Sequence, residues 1–116
     1  MTYEEVKTSV IERAANAIGC VYTYECFEVG SAPDPAQKYI IFRYPGRDDF
    51  FADNKNYAHI AQLDIELYSD TKAFEAEEVI EGILEELDIT YQKTDAFLES
   101  EQMYCCLYEM EVMING

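Results

Sequence analysis

Residues 57–68 carry the pattern that most restricts how this chain folds. Ala61, Leu63, Ile65 and Leu67 alternate with Gln62, Asp64, Glu66 and Tyr68. A period of two places the first set on one side of an extended strand and the second on the other. Such a strand packs a core with one face, and its other face is wet or covered by a partner.

The neighbouring segments show what supplies the core. Thr2-x-x-Glu5 is a capping box that opens a helix. Tyr3, Val6, Val10, Ala14, Ala17 and Ile18 then form its apolar arc, with Glu5, Glu12 and Asn16 opposite and Gly19 as terminator. Cys20–Val29 is rich in β-branched and aromatic residues and reads as a strand, broken by the stretch from Gly30 to Pro35. A second strand covers Gln37–Tyr44 and stops at Pro45-Gly46; a long loop to Asn56 leads into the alternating third strand. Ser69, Asp70 and Thr71 offer N-caps for a second helix reaching about Leu87, with its apolar arc on Ala73, Ala76, Val79, Ile80, Ile83, Leu84 and Leu87. Strands at Ile89–Leu98 and Gln102–Ile114 follow, joined by the turn at Glu99-Ser-Glu101.

The predicted order is α-β-β-β-α-β-β. It describes an α+β fold, a two-layer α/β sandwich whose mostly antiparallel or mixed sheet carries two helices on one face. Residues 1–116 form one domain: the length allows no second, and no repeat or linker interrupts it.

Composition excludes several function classes. Asp and Glu total 24 against 8 Lys and Arg, a net charge of −16. A direct nucleic-acid binder needs a basic stripe, and an anionic membrane attracts basic segments. No signal peptide or membrane-length apolar run is expected. Four cysteines, two of them adjacent (Cys20, Cys26, Cys105, Cys106), lack a disulfide framework and lack the Cys-x₂₋₄-Cys spacing of a zinc site. They read as buried reduced thiols, with Cys20 and Cys26 on one face of the first strand and Cys105 and Cys106 on opposite faces of the last. The single histidine, His59, reads as an exposed or satisfied structural residue. Asp48-Asp49 is the one compact acidic pair outside the helices. No nucleophile–base arrangement and no phosphate loop occurs, so neither catalysis nor a cofactor or metal is expected.

The charge has a direction. Residues 66–116 hold 14 acidic side chains against Lys72 and Lys93, a net −12, whereas residues 1–65 carry −4. Lys38, Arg43, Arg47 and Lys55 cluster around the second strand and the loop after it. A basic-tipped hairpin and an acidic second helix on one molecule allow copies to associate head to tail. Phe50-Phe51 lie in the loop among charged residues, and Phe74 projects on the glutamate side of the second helix. The candidate interface residues are therefore Arg43, Arg47, Phe50, Phe51 and Lys55 of the hairpin and Phe74, Glu78 and Glu85 of the helix. Ten tyrosines suit moderately polar contacts, with Tyr57, Tyr68, Tyr104 and Tyr108 as candidates.

From Tyr57 onward the pattern is distinctive. The alternating strand ends in Leu67-Tyr68-Ser69-Asp70. The amphipathic helix Ala73–Leu84 follows, then the short strand Ile89–Lys93 and the closing strand Met103–Ile114. With the N-terminal helix in front, this order and length resemble the tail-terminator (tail-completion) proteins of long-tailed bacteriophages and their prophage relatives. The resemblance implies a small α/β subunit, assembled in the host cytoplasm into a homo-oligomeric, hexameric ring. It implies a place in the virion at the head–tail interface, with the tail tube protein and the head connector protein as partners. DNA would pass through the lumen without specific binding, and a negative lumen would repel it. The resemblance carries over no catalytic residue. Three alternatives stand beside it: another phage head–tail connector or minor capsid subunit, an acidic DNA-mimic inhibitor of a nucleic-acid enzyme, and a generic adaptor domain.

Overall fold

The computed structural model describes residues 1–27, 37–52 and 55–114; at 50–52 and 55–58 it describes the backbone alone. The predicted break between Gly30 and Pro35, and the side chains of Phe50, Phe51, Lys55 and Tyr57, lie outside the described part.

The first helix starts as the sequence dictates. Thr2 Oγ1 accepts the Glu5 amide at 3.0 Å, and Glu5 Oε1 accepts the Thr2 amide at 3.3 Å. It ends at Gly19, which adopts φ +81°, a left-handed conformation that costs glycine little. Between these ends it departs from a plain α-helix. Tyr3–Val6 is α-helical, Lys7–Glu12 is π-helical and Arg13–Ile18 is α-helical again. A π turn takes in an extra residue and rotates everything after it. Val6, Val10, Ile11, Ala14 and Ala15 are buried, and Ala17 and Tyr3, expected inside, are exposed.

A mixed sheet underlies both helices. Its strands are β1 (Val21–Tyr24), β2 (Tyr39–Arg47), β3 (Phe50–Ala52), β4 (Lys55–Ser69), β5 (Tyr91–Leu98) and β6 (Met103–Ile114). The order across the main sheet is β1-β2-β4-β6-β5, with β3 paired to β4 outside that path. The antiparallel pairs are β2/β4, β4/β6 and β6/β5; β1 and β2 run parallel, although consecutive strands were expected to be antiparallel. The second helix, Phe74–Glu86, carries the chain from β4 to β5, and β6 inserts between those two strands. The expected α+β sandwich is what forms, with one short strand added.

Pro45-Gly46 does not end β2. Arg43 pairs with Asp64 and Gly46 with Gln62, so β2 fits one more residue than β4 into the interval. The resulting bulge takes up Pro45, which has no amide to give the ladder. Pairing then resumes, and most of the expected loop becomes the β2–β3–β4 ribbon. Cys20 and Cys26 both fall outside the short β1, and Cys26 is exposed rather than buried.

One core lies between sheet and helices. Ile40 and Phe42 of β2, Ala61, Leu63, Ile65 and Leu67 of β4, and Cys106, Tyr108, Met110 and Val112 of β6 meet Val6, Val10 and Ile11 from one helix and Ile80, Ile83 and Leu84 from the other. The alternation in β4 is obeyed residue for residue. No described element covers the opposite face of the sheet. No described helix is long and apolar enough to cross a membrane.

Candidate assembly surfaces

The ribbon is the most prominent feature. Fifteen residues of β4 at about 3.3 Å each span roughly 50 Å, matching the 51 Å long axis of the molecule. Pairing between β4 and β6 runs to His59 opposite Ile114, and beyond it, among the described residues, only β3 accompanies β4. A two-stranded arm therefore projects past the sheet. Two strands alone are marginal in water, so the arm needs support at its base.

That support comes from Asp49. Its carboxylate accepts Arg47 Nε at 2.8 Å and Arg47 Nη2 at 2.7 Å, a bidentate pair. It also accepts the Ile60 amide at 3.2 Å and lies 3.2 Å from His59 Nδ1, and Arg47 Nη2 contacts the same ring nitrogen. His59 is thus a satisfied structural residue at the root of the arm. Arg47 serves this clamp, which holds the guanidinium pKa above its usual value chiefly through Asp49. Of the predicted hairpin residues, the backbone of Phe50, Phe51 and Lys55 lies on the arm itself.

Arg43 faces away from the helices. It is 2.9 Å from Glu66, whose carboxylate also accepts the Tyr68 hydroxyl at 2.6 Å. Tyr68 stacks on Tyr39 of β2 with centroids 4.9 Å apart and planes 14° apart. The open face therefore has an aromatic end and a carboxylate band. In the band Asp64 sits opposite Glu109, and Gln62 opposite Glu111. Burial lifts the Asp64 pKa above the ordinary value; Glu109 and Glu66 add to this and Arg43 opposes it. Like charges facing each other across a ladder weaken the subunit, and the band gains nothing from them within one chain.

The second helix presents a ridge. Phe74 is 66% exposed, and Glu78 and Glu85 stand exposed on the same side at i+4 and i+11. Lys72 Nζ lies 5.3 Å from the Phe74 ring centre. The helix begins at Phe74 without a side-chain cap, because Ser69 remains in β4 and turns its hydroxyl to the Thr71 carbonyl at 2.6 Å.

Tyr108 and Glu77 are both buried. Tyr108, an expected surface contact, is fully buried and donates to Glu81 at 2.8 Å. Glu77, in a helix rich in exposed glutamates, is 3% exposed. It is held by Lys72 at 2.5 Å and by Lys93 at 2.8 Å, and these lysines also reach Asp95 at 2.7 Å and Glu81 at 3.0 Å. Glu77 Oε1 takes no well-directed hydrogen bond, but the Lys93 ammonium beside it compensates its charge. Glu77, Asp95 and Cys106 lie close together; with two ammonium groups already on the carboxylates, the cluster is a structural ion network. The signal was present in the sequence. Glu77 lies three residues before Ile80 and seven before Leu84, on the apolar arc.

The remaining thiols behave as small hydrophobic groups. Burial pushes Cys20 up to about 11 and Cys106 up to about 12, and Cys105 upward as well.

No family model and no curated protein matches the chain. Among solved structures, a chain described as "Virion of native gene transfer agent (GTA) particle" matches with a TM-score of 0.65 at 11% sequence identity. The match covers 96% of this chain and 95% of that one, so the two share a fold along nearly their whole lengths.

Proposed function

We propose that this chain is a structural subunit of a phage-like virion, and that within it the chain is the tail terminator: a ring that caps the tail tube and joins it to the head connector. The carrying observation is the end-to-end fold likeness to a chain of the gene transfer agent virion. The surfaces agree with the reading. A projecting arm clamped at its root, an uncovered sheet face and an exposed Phe74 are features of a subunit completed by neighbours. The carboxylate band of Asp64, Glu66, Glu109 and Glu111 would face DNA in transit and repel it. The neighbouring reading, a different head–tail connector subunit, shares the ring and differs in its docking partner.

Tail tube protein polymerised in the presence of this chain tests the assignment. A terminator halts growth and yields short tubes with one capped end under negative stain. Tubes of unrestricted length with bare ends would contradict it, and capture by connector protein instead would favour the neighbouring reading.

A further inference from the structure

The main sheet ends in two edges, β1 and β5, and no described strand pairs with the outer side of either. β5 is regular from end to end. Its register against β6 runs unbroken from Tyr91 opposite Met110 to Leu98 opposite Met103, and it contains no proline. Gln92–Phe97 are all exposed, so no element overhangs the strand. Its charges are already matched inside the subunit, Lys93 by Glu77 and Glu81 and Asp95 by Lys72. Pairing at this edge therefore buries no uncompensated charge. Apolar side chains wait at both edges: Phe97 of β5 is 46% exposed and Val21 of β1 is 48% exposed.

Strand direction and face select how a second copy fits. β1 and β2 run one way with β6, whereas β4 and β5 run the other. If the next copy continues the sheet with its helices on the same side, its β1 lies antiparallel to β5, the better-bonded arrangement. Val21 and Thr23 share the open face with Tyr39 and Ile41, and Thr94, Ala96 and Leu98 share it with Leu107, Cys105 and Met103. With faces matched, Val21 of the next copy stands opposite Thr94, Ala96 or Leu98. Val21 and Ala96 of one subunit already share a row through Tyr39, Tyr68 and Cys105. Pairing those two across copies would close the sheet on a level row, and a closed sheet needs a stagger. Of the other two registers, only Leu98 opposite Val21 pairs Phe97 with a strand residue, Tyr22, and it sets Ala96 on Thr23. The charges suit it. Glu99 falls opposite Cys20, which shares a hollow with Lys38. Asp95 faces Tyr24 and Glu25 faces Thr94, so no like charges fall directly opposite.

We propose that copies of this chain close their ring by edge pairing, β5 of each copy antiparallel to β1 of the next, with Leu98 opposite Val21 and Phe97 opposite Tyr22. The inference rests on the ring reading above and names its seam. The contact is heterologous, one edge against a different one, which is the kind that generates rings. Six copies of a five-stranded sheet, at about 4.8 Å per strand, make a circle roughly 45 Å across, wide enough to pass a duplex. The helices then lie outside, the carboxylate face lines the lumen, and neither edge of the main sheet is left open.

Cysteine pairs read the seam. In a Cys26→Ser chain, Thr23→Cys with Ala96→Cys sets two thiols directly opposite across it, and mild oxidation should give a reducible ladder that ends at the ring. Thr23→Cys with Thr94→Cys is two residues out of register and should stay a single band without reductant. Thermal unfolding checks that each variant is folded. Glu99→Lys, in an exposed turn, needs no such check; it should weaken ring formation about fivefold by light scattering, and adding Lys38→Glu should restore it. Wild-type rings that link through Thr23 and Thr94, or through neither pair, overturn the seam and leave the ring reading standing, as does association unmoved by Glu99→Lys. A wild type that stays monomeric at every concentration overturns both.

Discussion

Glu77 shows how a single residue decides the strength of this small domain. Its carboxylate is buried between the second helix and the sheet, and it is tolerable there because Lys72 and Lys93 reach it. Removing both ammonium groups with Lys72→Met and Lys93→Met leaves an uncompensated buried charge and should cost about 3–5 kcal/mol in urea unfolding. Adding Glu77→Leu to that pair should restore most of the loss, since the charge that needed the lysines is then gone. Asp64 makes the opposite case. Its pKa is raised in the folded state, so the folded protein bears a cost when the group ionises. That cost is absent while the carboxyl is protonated and appears as pH rises through the folded pKa. Asp64→Asn should therefore stabilise the subunit at neutral pH by roughly 0.2–1 kcal/mol, and the gain should vanish on acidification. A gain that grows toward acid would contradict this origin.

At the scale of elements, what was legible was what depends on neighbours in sequence. The capping box, Gly19, the alternation of β4 and the turn at Glu99–Glu101 each follow from side chains a few residues apart. The π turn in the first helix was hidden because no proline or glycine marks it and the apolar residues keep ordinary helical spacing across it. The bulge at Pro45 was hidden because a proline ends a strand unless the partner strand accommodates it, and β4 does. The parallel β1–β2 pair depends on the path between them rather than on either strand's residues. For the surfaces, exposed Phe74, Glu78 and Glu85 were readable from helical periodicity. Local rules also suggest an improvement. The second helix ends with Asp88 at φ +56°, where glycine is preferred. Asp88→Gly should raise stability by about 1 kcal/mol, seen as a higher Tm; a lower Tm would mean the aspartate has a role in the turn beyond its backbone.

Taken whole, the molecule is a slab 51 × 31 × 23 Å with unlike surfaces on its different sides. One face of the sheet is filled by helices and the other holds carboxylates and stacked tyrosines, and the second helix carries an exposed phenylalanine. A net charge of −16 opposes binding of such a body to DNA. The absolute mass of the purified chain tests most directly whether its copies close into the proposed ring. Multi-angle light scattering across a concentration series at moderate salt should give one closed species near a hexamer, with no larger products as concentration rises. A monomer at every concentration, or an open-ended ladder of masses, would contradict it.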